Sequence, residues 1–97
     1  MNENPNFGSP QPILLGIGTH TLVNTYLIQP NNNSCIISSL KRNDTLDTNW
    51  AVELGFANIN LNDATVPIEV EYRKYWSEIT ITSGSVWAYN KLPNRVK

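Results

Sequence analysis

The chain has 97 residues, a formal net charge of −1 and 15% charged residues, against roughly 25% in an average soluble domain. That length sets a single domain burying roughly 60–65% of the unfolded chain's surface, so a small core needs neither disulfide nor metal. The near-zero charge and scattered basic residues argue against a nucleic-acid or anionic-membrane partner, because such binding draws on clustered Lys and Arg.

Fourteen asparagines, Asn31, Asn32 and Asn33 among them, make much of the polar surface neutral. A neutral surface suits faces that meet other chains as readily as water, although a compositional habit of the source genome explains it equally. The lone cysteine, Cys35, excludes an intramolecular disulfide, and beside Ile36 and Ile37 it reads as a small buried hydrophobe in a reducing compartment. The opening residues have neither a basic n-region nor an adequate apolar h-region, and no later run approaches the roughly 18 apolar residues of a membrane span. The expectation is a soluble protein made in a cytoplasm.

Residues 1–12 carry Pro5, Pro10, Pro12 and Gly8, a mixture that blocks helix and favours an extended arm. Phe7 is its candidate apolar anchor on a neighbouring subunit, with disorder as the alternative. A single domain then runs over 13–97. Gly16 and Gly18 lack a third glycine at dinucleotide-fold spacing and mark a turn or bulge. A strand is expected over 20–28, with apolar residues on both faces. A turn at 30–33 leads to a short strand over 34–40, and residues 43–48 read as a polar loop.

From Trp50, alternation of Val52, Leu54 and Phe56 with Ala51, Glu53 and Gly55 favours a strand. Asn49 could instead cap a helix carrying Trp50, Leu54 and Ala57 on one face. The apolar parity flips after Phe56, which places an irregularity near 55–58. Residues 62–64 read as the next turn.

Residues 66–89 show the clearest period of two. Ile68, Val70, Tyr72 and Trp76, then Ile79 and Ile81, alternate with polar residues, and 85–89 resume after Ser83 and Gly84. A two-residue Ser83-Gly84 loop would pair Ile81 with Val86 and turn Trp87 and Tyr89 outward. A three-residue loop closed by Gly84 in the left-handed conformation would pair Ile81 with Ser85 and Ile79 with Trp87, gathering Ile79, Ile81, Trp87 and Tyr89 on one face. The second is preferred, because it uses glycine where other residues are strained. Six short strands between Gly, Pro and Asn turns predict an all-β fold. The expected form is a small antiparallel sandwich or barrel, a jelly roll among the options, with an extended N-terminal arm.

Catalysis has little to work with. Nucleophilic chemistry needs a nucleophile beside a base, whereas the only imidazole is His20 on an expected strand and the only thiol is Cys35. Asp44 and Asp47 lack the dense acidic spacing of a calcium loop. Glu69 and Glu71 could pair on one strand face, but alternation with Ile68 and Val70 makes them its wet side. No enzyme activity, cofactor or metal is therefore expected. The aromatic residues Trp50, Tyr72, Tyr75, Trp76, Trp87 and Tyr89 are more suggestive, as a stacking platform for sugar rings or as core and interface anchors.

The segment 75–89, Tyr-Trp-Ser-Glu-Ile-Thr-Ile-Thr-Ser-Gly-Ser-Val-Trp-Ala-Tyr, resembles the closing segment of small uncharacterised phage proteins, in which I-T-L-T-S-G-x-V-x-A-Y ends a compact β domain. Residues 25–30 followed by 34–40 are similar to their opening strands. The resemblance covers about two-thirds of the chain and carries a strand pair without chemistry; the long Pro/Asn arm departs from it. It implies a virion protein made in the host cytoplasm, a head decoration or cement protein seated on the major capsid protein. A homo-oligomer, with a trimer favoured, is expected. Phe7, Trp50, Tyr75, Trp76, Trp87 and Tyr89 are the candidate partner-binding residues. A carbohydrate- or receptor-binding module of a phage tail or fibre is the alternative.

Overall fold

A computed structural model describes residues 11–31, 34–61, 68–71 and 73–90. The elements in chain order are β1 (Gln11–Leu15), β2 (Gly18–Pro30), β3 (Ile36–Arg42), the helix α1 (Trp50–Glu53), β4 (Ile68–Glu69), β5 (Trp76–Ser83) and β6 (Val86–Asn90). The fold is all-β and antiparallel throughout, as expected. Its strands form one sheet in the order β1-β6-β2-β5-β3, with β4 also on β2, and the sheet is not a closed barrel.

The β-branched and aromatic run from Gly18 to Pro30 makes β2 the longest strand. Its first part pairs with β5, His20 opposite Ile79, and its last part with β6, Leu27 opposite Tyr89. Thr25 lies between, opposite Trp76 on one edge and Asn90 on the other, and its hydroxyl donates to Asn90 Oδ1. Asn24, at φ +54°, supplies the bend, and the register shifts between Thr21 and Thr25. Asparagine tolerates this left-handed backbone better than most residues.

β5 and β6 do not form the expected hairpin. Both run antiparallel to β2, on opposite edges, so they run in the same direction as one kinked ribbon. Ile79 pairs with His20 and Leu40, and Trp87 with Leu14 and Gln29. Gly84 does adopt the left-handed conformation, at φ +74°, but a Cβ there would meet Ser34 O and lie 2.9 Å from Cys35 Cα. The glycine lets the ribbon pass against the β2–β3 connection and shifts its parity instead of reversing it. Ile79, Ile81, Val86 and Ala88 are consequently buried. Trp87 and Tyr89 fall on the other face, the reverse of the preferred expectation.

The strand expected from Trp50 is also replaced. Asn49 caps α1, its Oδ1 accepting from Ala51 N at 3.0 Å, so the weaker of the two readings is the one formed. Ala51 is fully buried, while Val52 and Leu54, inward under strand parity, are 59% and 52% exposed. The same Asn49 amide accepts from Leu40 N and donates to Ser38 O, standing in for a neighbouring strand along β3. Turns at Gly55 and Asn58, both at positive φ, account for the expected irregularity. The bridge between Cys35 and Leu61, the Asn58 N–H on Ile37 O and the Thr45 N–H on Arg42 O complete the covering of that edge.

The core gathers Ile28, Cys35, Ile37, Leu40, Ala51, Leu61, Ile68, Trp76, Ile79, Ile81 and Val86. Two sequence boundaries move. Gln11 and Pro12, assigned to the arm, belong to β1, and the long expected strand after Val66 is reduced to Ile68 and Glu69.

Gly84→Ala should lower unfolding free energy by about 3 kcal/mol or more in urea denaturation, from left-handed strain and a backbone clash. Gly16→Ala, where a Cβ meets no atom within 4 Å, should leave stability unchanged or raise it by up to about 1 kcal/mol. Equal losses at both positions would contradict the close approach at Gly84.

Candidate interaction face

The chemically versatile side chains are tied into the fold. His20 Nε2 lies 2.8 Å from Gly16 O, so that nitrogen carries the proton and donates, because a carbonyl can only accept. Cys35 is fully buried, and burial pushes its thiol pKa up, away from the nucleophilic thiolate. Glu71, beyond the end of β4, accepts from Arg42 Nη1 at 3.1 Å, so it does not pair with Glu69 on one strand face. Among the described residues, no group of three or more His, Cys, Asp or Glu is placed to hold a metal.

One end of the molecule concentrates charge. Arg42, 8% exposed at the end of β3, donates from Nε to Asp44 Oδ1 at 2.6 Å and from Nη2 to Asp44 Oδ2 at 3.2 Å. Its guanidinium carbon sits 4.1 Å from the Trp50 ring centroid, a cation–π geometry worth about 0.5–2 kcal/mol depending on desolvation. The Trp50 indole N–H is fixed by Thr45 Oγ1 at 2.8 Å. Lys74 Nζ reaches Asp44 Oδ2 at 2.9 Å. The hydrogen bond from Arg42, then that from Lys74, holds the Asp44 carboxyl at about 2, well below its ordinary 3.8. A buried guanidinium needs such partners to offset its lost hydration.

A second region is built from strands without charged residues. No Asp, Glu, Lys or Arg occurs in residues 4–40 or 79–90, so β1, β6 and the second part of β2 carry no formal charge. Residues opposite one another in a ladder share a face. One outer row is therefore Leu14, Trp87 and Gln29, and the next is Pro12, Tyr89 and Leu27, continued across β2 by exposed Glu69 of β4. Leu14 is 51% exposed and Pro12 is exposed, while Trp87, Tyr89, Leu27 and Gln29 are half-buried. The Trp87 indole donates to Asn31 Oδ1 at 2.8 Å, and Asn31 Nδ2 donates to Ser85 Oγ at 3.1 Å. That chain fixes the ring's orientation.

The six candidate partner-binding residues therefore separate. Trp87 and Tyr89 come together on the outer face of β6. Trp76 is 2% exposed in the core, its indole N–H directed to Ile68 O at 3.4 Å. Trp50 belongs to the Arg42 cluster, and half-buried Tyr75 donates its N–H to Asn43 Oδ1 at 3.2 Å while its carbonyl accepts from Asn43 N at 2.9 Å. Phe7 lies outside the described residues, as does Tyr72. Pro12, Leu14, Leu27 and Gln29 were not singled out in sequence, although the long uncharged run containing them was visible there. No protein-family model, curated protein or solved structure matches the chain.

Asp44 has a depressed pKa, so its contribution to stability is fully present above its unfolded value near 3.8 and lost as pH falls toward about 2. Relative to the parent, Asp44→Asn should be less stable at pH 6, with the difference shrinking between pH 4 and pH 2 in thermal melts. A difference independent of pH would remove the carboxylate from the explanation.

Proposed function

We propose that this protein is a non-enzymatic structural component of a phage virion, a head decoration or cement protein that binds the major capsid protein and assembles as a homo-oligomer. The observation that carries the reading is the outer face of β1 and β6, strands without a charged residue, where Leu14 and Pro12 stand exposed beside Trp87 and Tyr89. Aromatic anchors with a charge-depleted surround are the composition of protein contact surfaces. Proline at the edge and rotamer-restricted aromatics lose little conformational freedom on docking. The charged cluster at the end of β3 braces the fold internally through Arg42, and the resemblance of residues 75–89 to phage virion proteins gives the reading its setting.

A second reading, a carbohydrate- or receptor-binding module of a tail or fibre, draws on the same Trp87 ring, held by Asn31 as a stacking surface. The two readings diverge in what the face meets.

The protein should co-purify with intact virions of its phage at a fixed copy number relative to the major capsid protein. Trp87→Ala/Tyr89→Ala, folded by circular dichroism, should lose at least tenfold in capsid affinity. Absence from virions, together with glycan-array binding that Trp87→Ala abolishes, would transfer support to the second reading.

A further inference from the structure

The two outer edges of the sheet are treated differently. Along β3, contacts from Leu61, Asn58, Asn49 and Thr45 meet the backbone at Cys35, Ile37, Ser38, Leu40 and Arg42. Along β1, no described residue pairs with the edge away from β6. Open edges in stable proteins are ordinarily blunted by charge, proline, short strands, bulges or a covering segment, and of these β1 has only Pro12 and its five-residue length. β1, of sequence Gln-Pro-Ile-Leu-Leu, has no charge, and Ile13 and Leu14 are 45% and 51% exposed.

We propose that β1 is the docking edge for a second copy of this chain, two β1 strands pairing antiparallel about a two-fold axis at Leu14. The backbone polar groups fit this register. Proline cannot donate into a ladder, so Pro12 occupies a position whose backbone faces away from β6. Leu14 and Gly16, two and four residues on, face the same way. About an axis at Leu14, the two Leu14 residues exchange N–H and C=O, and each Gly16 N–H meets the opposing Pro12 C=O. One acceptor, Gly16 O, then faces the proline that has no N–H, and it is the carbonyl already bonded to His20 Nε2 at 2.8 Å. From Pro12 to Gly16, no outward donor or acceptor is left unpaired.

The side chains agree with the backbone. Leu14 meets its copy on the outer face, and Ile13 meets Leu15 of the partner subunit on the inner face, so both exposed β1 side chains gain apolar cross-strand neighbours. Two uncharged edges also meet without repulsion, whereas a strongly charged partner strand would find nothing to complement it. An isologous two-fold contact of this kind closes as a dimer, in place of the trimer expected from sequence. The inference goes beyond the virion assignment and stands without it, since it concerns the purified protein alone.

Light scattering coupled to size exclusion, at tenths of a millimolar protein, should give twice the 10.9 kDa chain mass. Leu14→Lys, folded by circular dichroism, should raise the dimer dissociation constant at least tenfold, and Val52→Lys on exposed α1 should not. Leu14→Cys should form an intermolecular disulfide on mild oxidation, since paired ladder residues lie within disulfide reach. Ile17→Cys should not, because two-fold copies of that position are on the order of 20 Å apart at strand rise. A monomeric or three-copy parent, or equal cross-linking at both positions, would overturn the proposal.

Discussion

The close packing of Gly84 on Ser34 and Cys35 sets the course of the chain around it. Backbone meets backbone there, and a side chain on residue 84 would displace one of the two segments. Because they touch, β3 can lie along β5 while the end of β2 lies along β6, with Ser83 opposite Ile36 and Val86 opposite Pro30. The ribbon continues past the contact with its parity shifted. Core residues before and after the kink, Ile81 and Val86, thereby fill the same interior.

From that parity follows the division of the aromatic residues. Trp76, before the kink, lies in the core, while Trp87 and Tyr89 after it are turned outward into rows of β1, β6 and β2, strands that carry no formal charge of their own there. Exposed Glu69 of β4, opposite Leu27, stands beside them. Arg42, Asp44, Glu71 and Lys74 link the end of β3 to residues 71 and 74, and Trp50 lies against the guanidinium. The end of β3 is thus stabilised by paired charges, and β1 and β6 keep an apolar and aromatic exterior.

Much of the fold class was legible in the sequence, because β-branched and aromatic enrichment in residues 20–28 and period-two alternation in residues 76–82 report strands directly. Partner choice was not, since periodicity within a strand says nothing about which strand lies beside it. The Ser83-Gly84 signal was read as a reversal because glycine at positive φ serves hairpins and kinks alike; only the nearness of Ser34, distant in sequence, distinguishes them. Trp50 to Phe56 satisfied both periods, and the decision fell to the Asn49 amide, which binds α1 and β3 together. At the candidate face, Trp87 and Tyr89 were visible as aromatics. Their neighbours Leu14, Pro12, Leu27 and Gln29 come from strands far away in sequence and were hidden for the same reason as the strand order.

Cross-strand nuclear Overhauser effects on uniformly labelled protein test the kinked ribbon most directly. The ribbon requires backbone contacts between His20 and Ile79, between Leu27 and Tyr89, and between Leu14 and Trp87, with none between Ile79 and Trp87. Contacts pairing Ile79 with Trp87 and Ile81 with Ser85 would restore the hairpin, return Trp87 and Tyr89 to the face of Ile79 and Ile81, and contradict the aromatic exterior of β6.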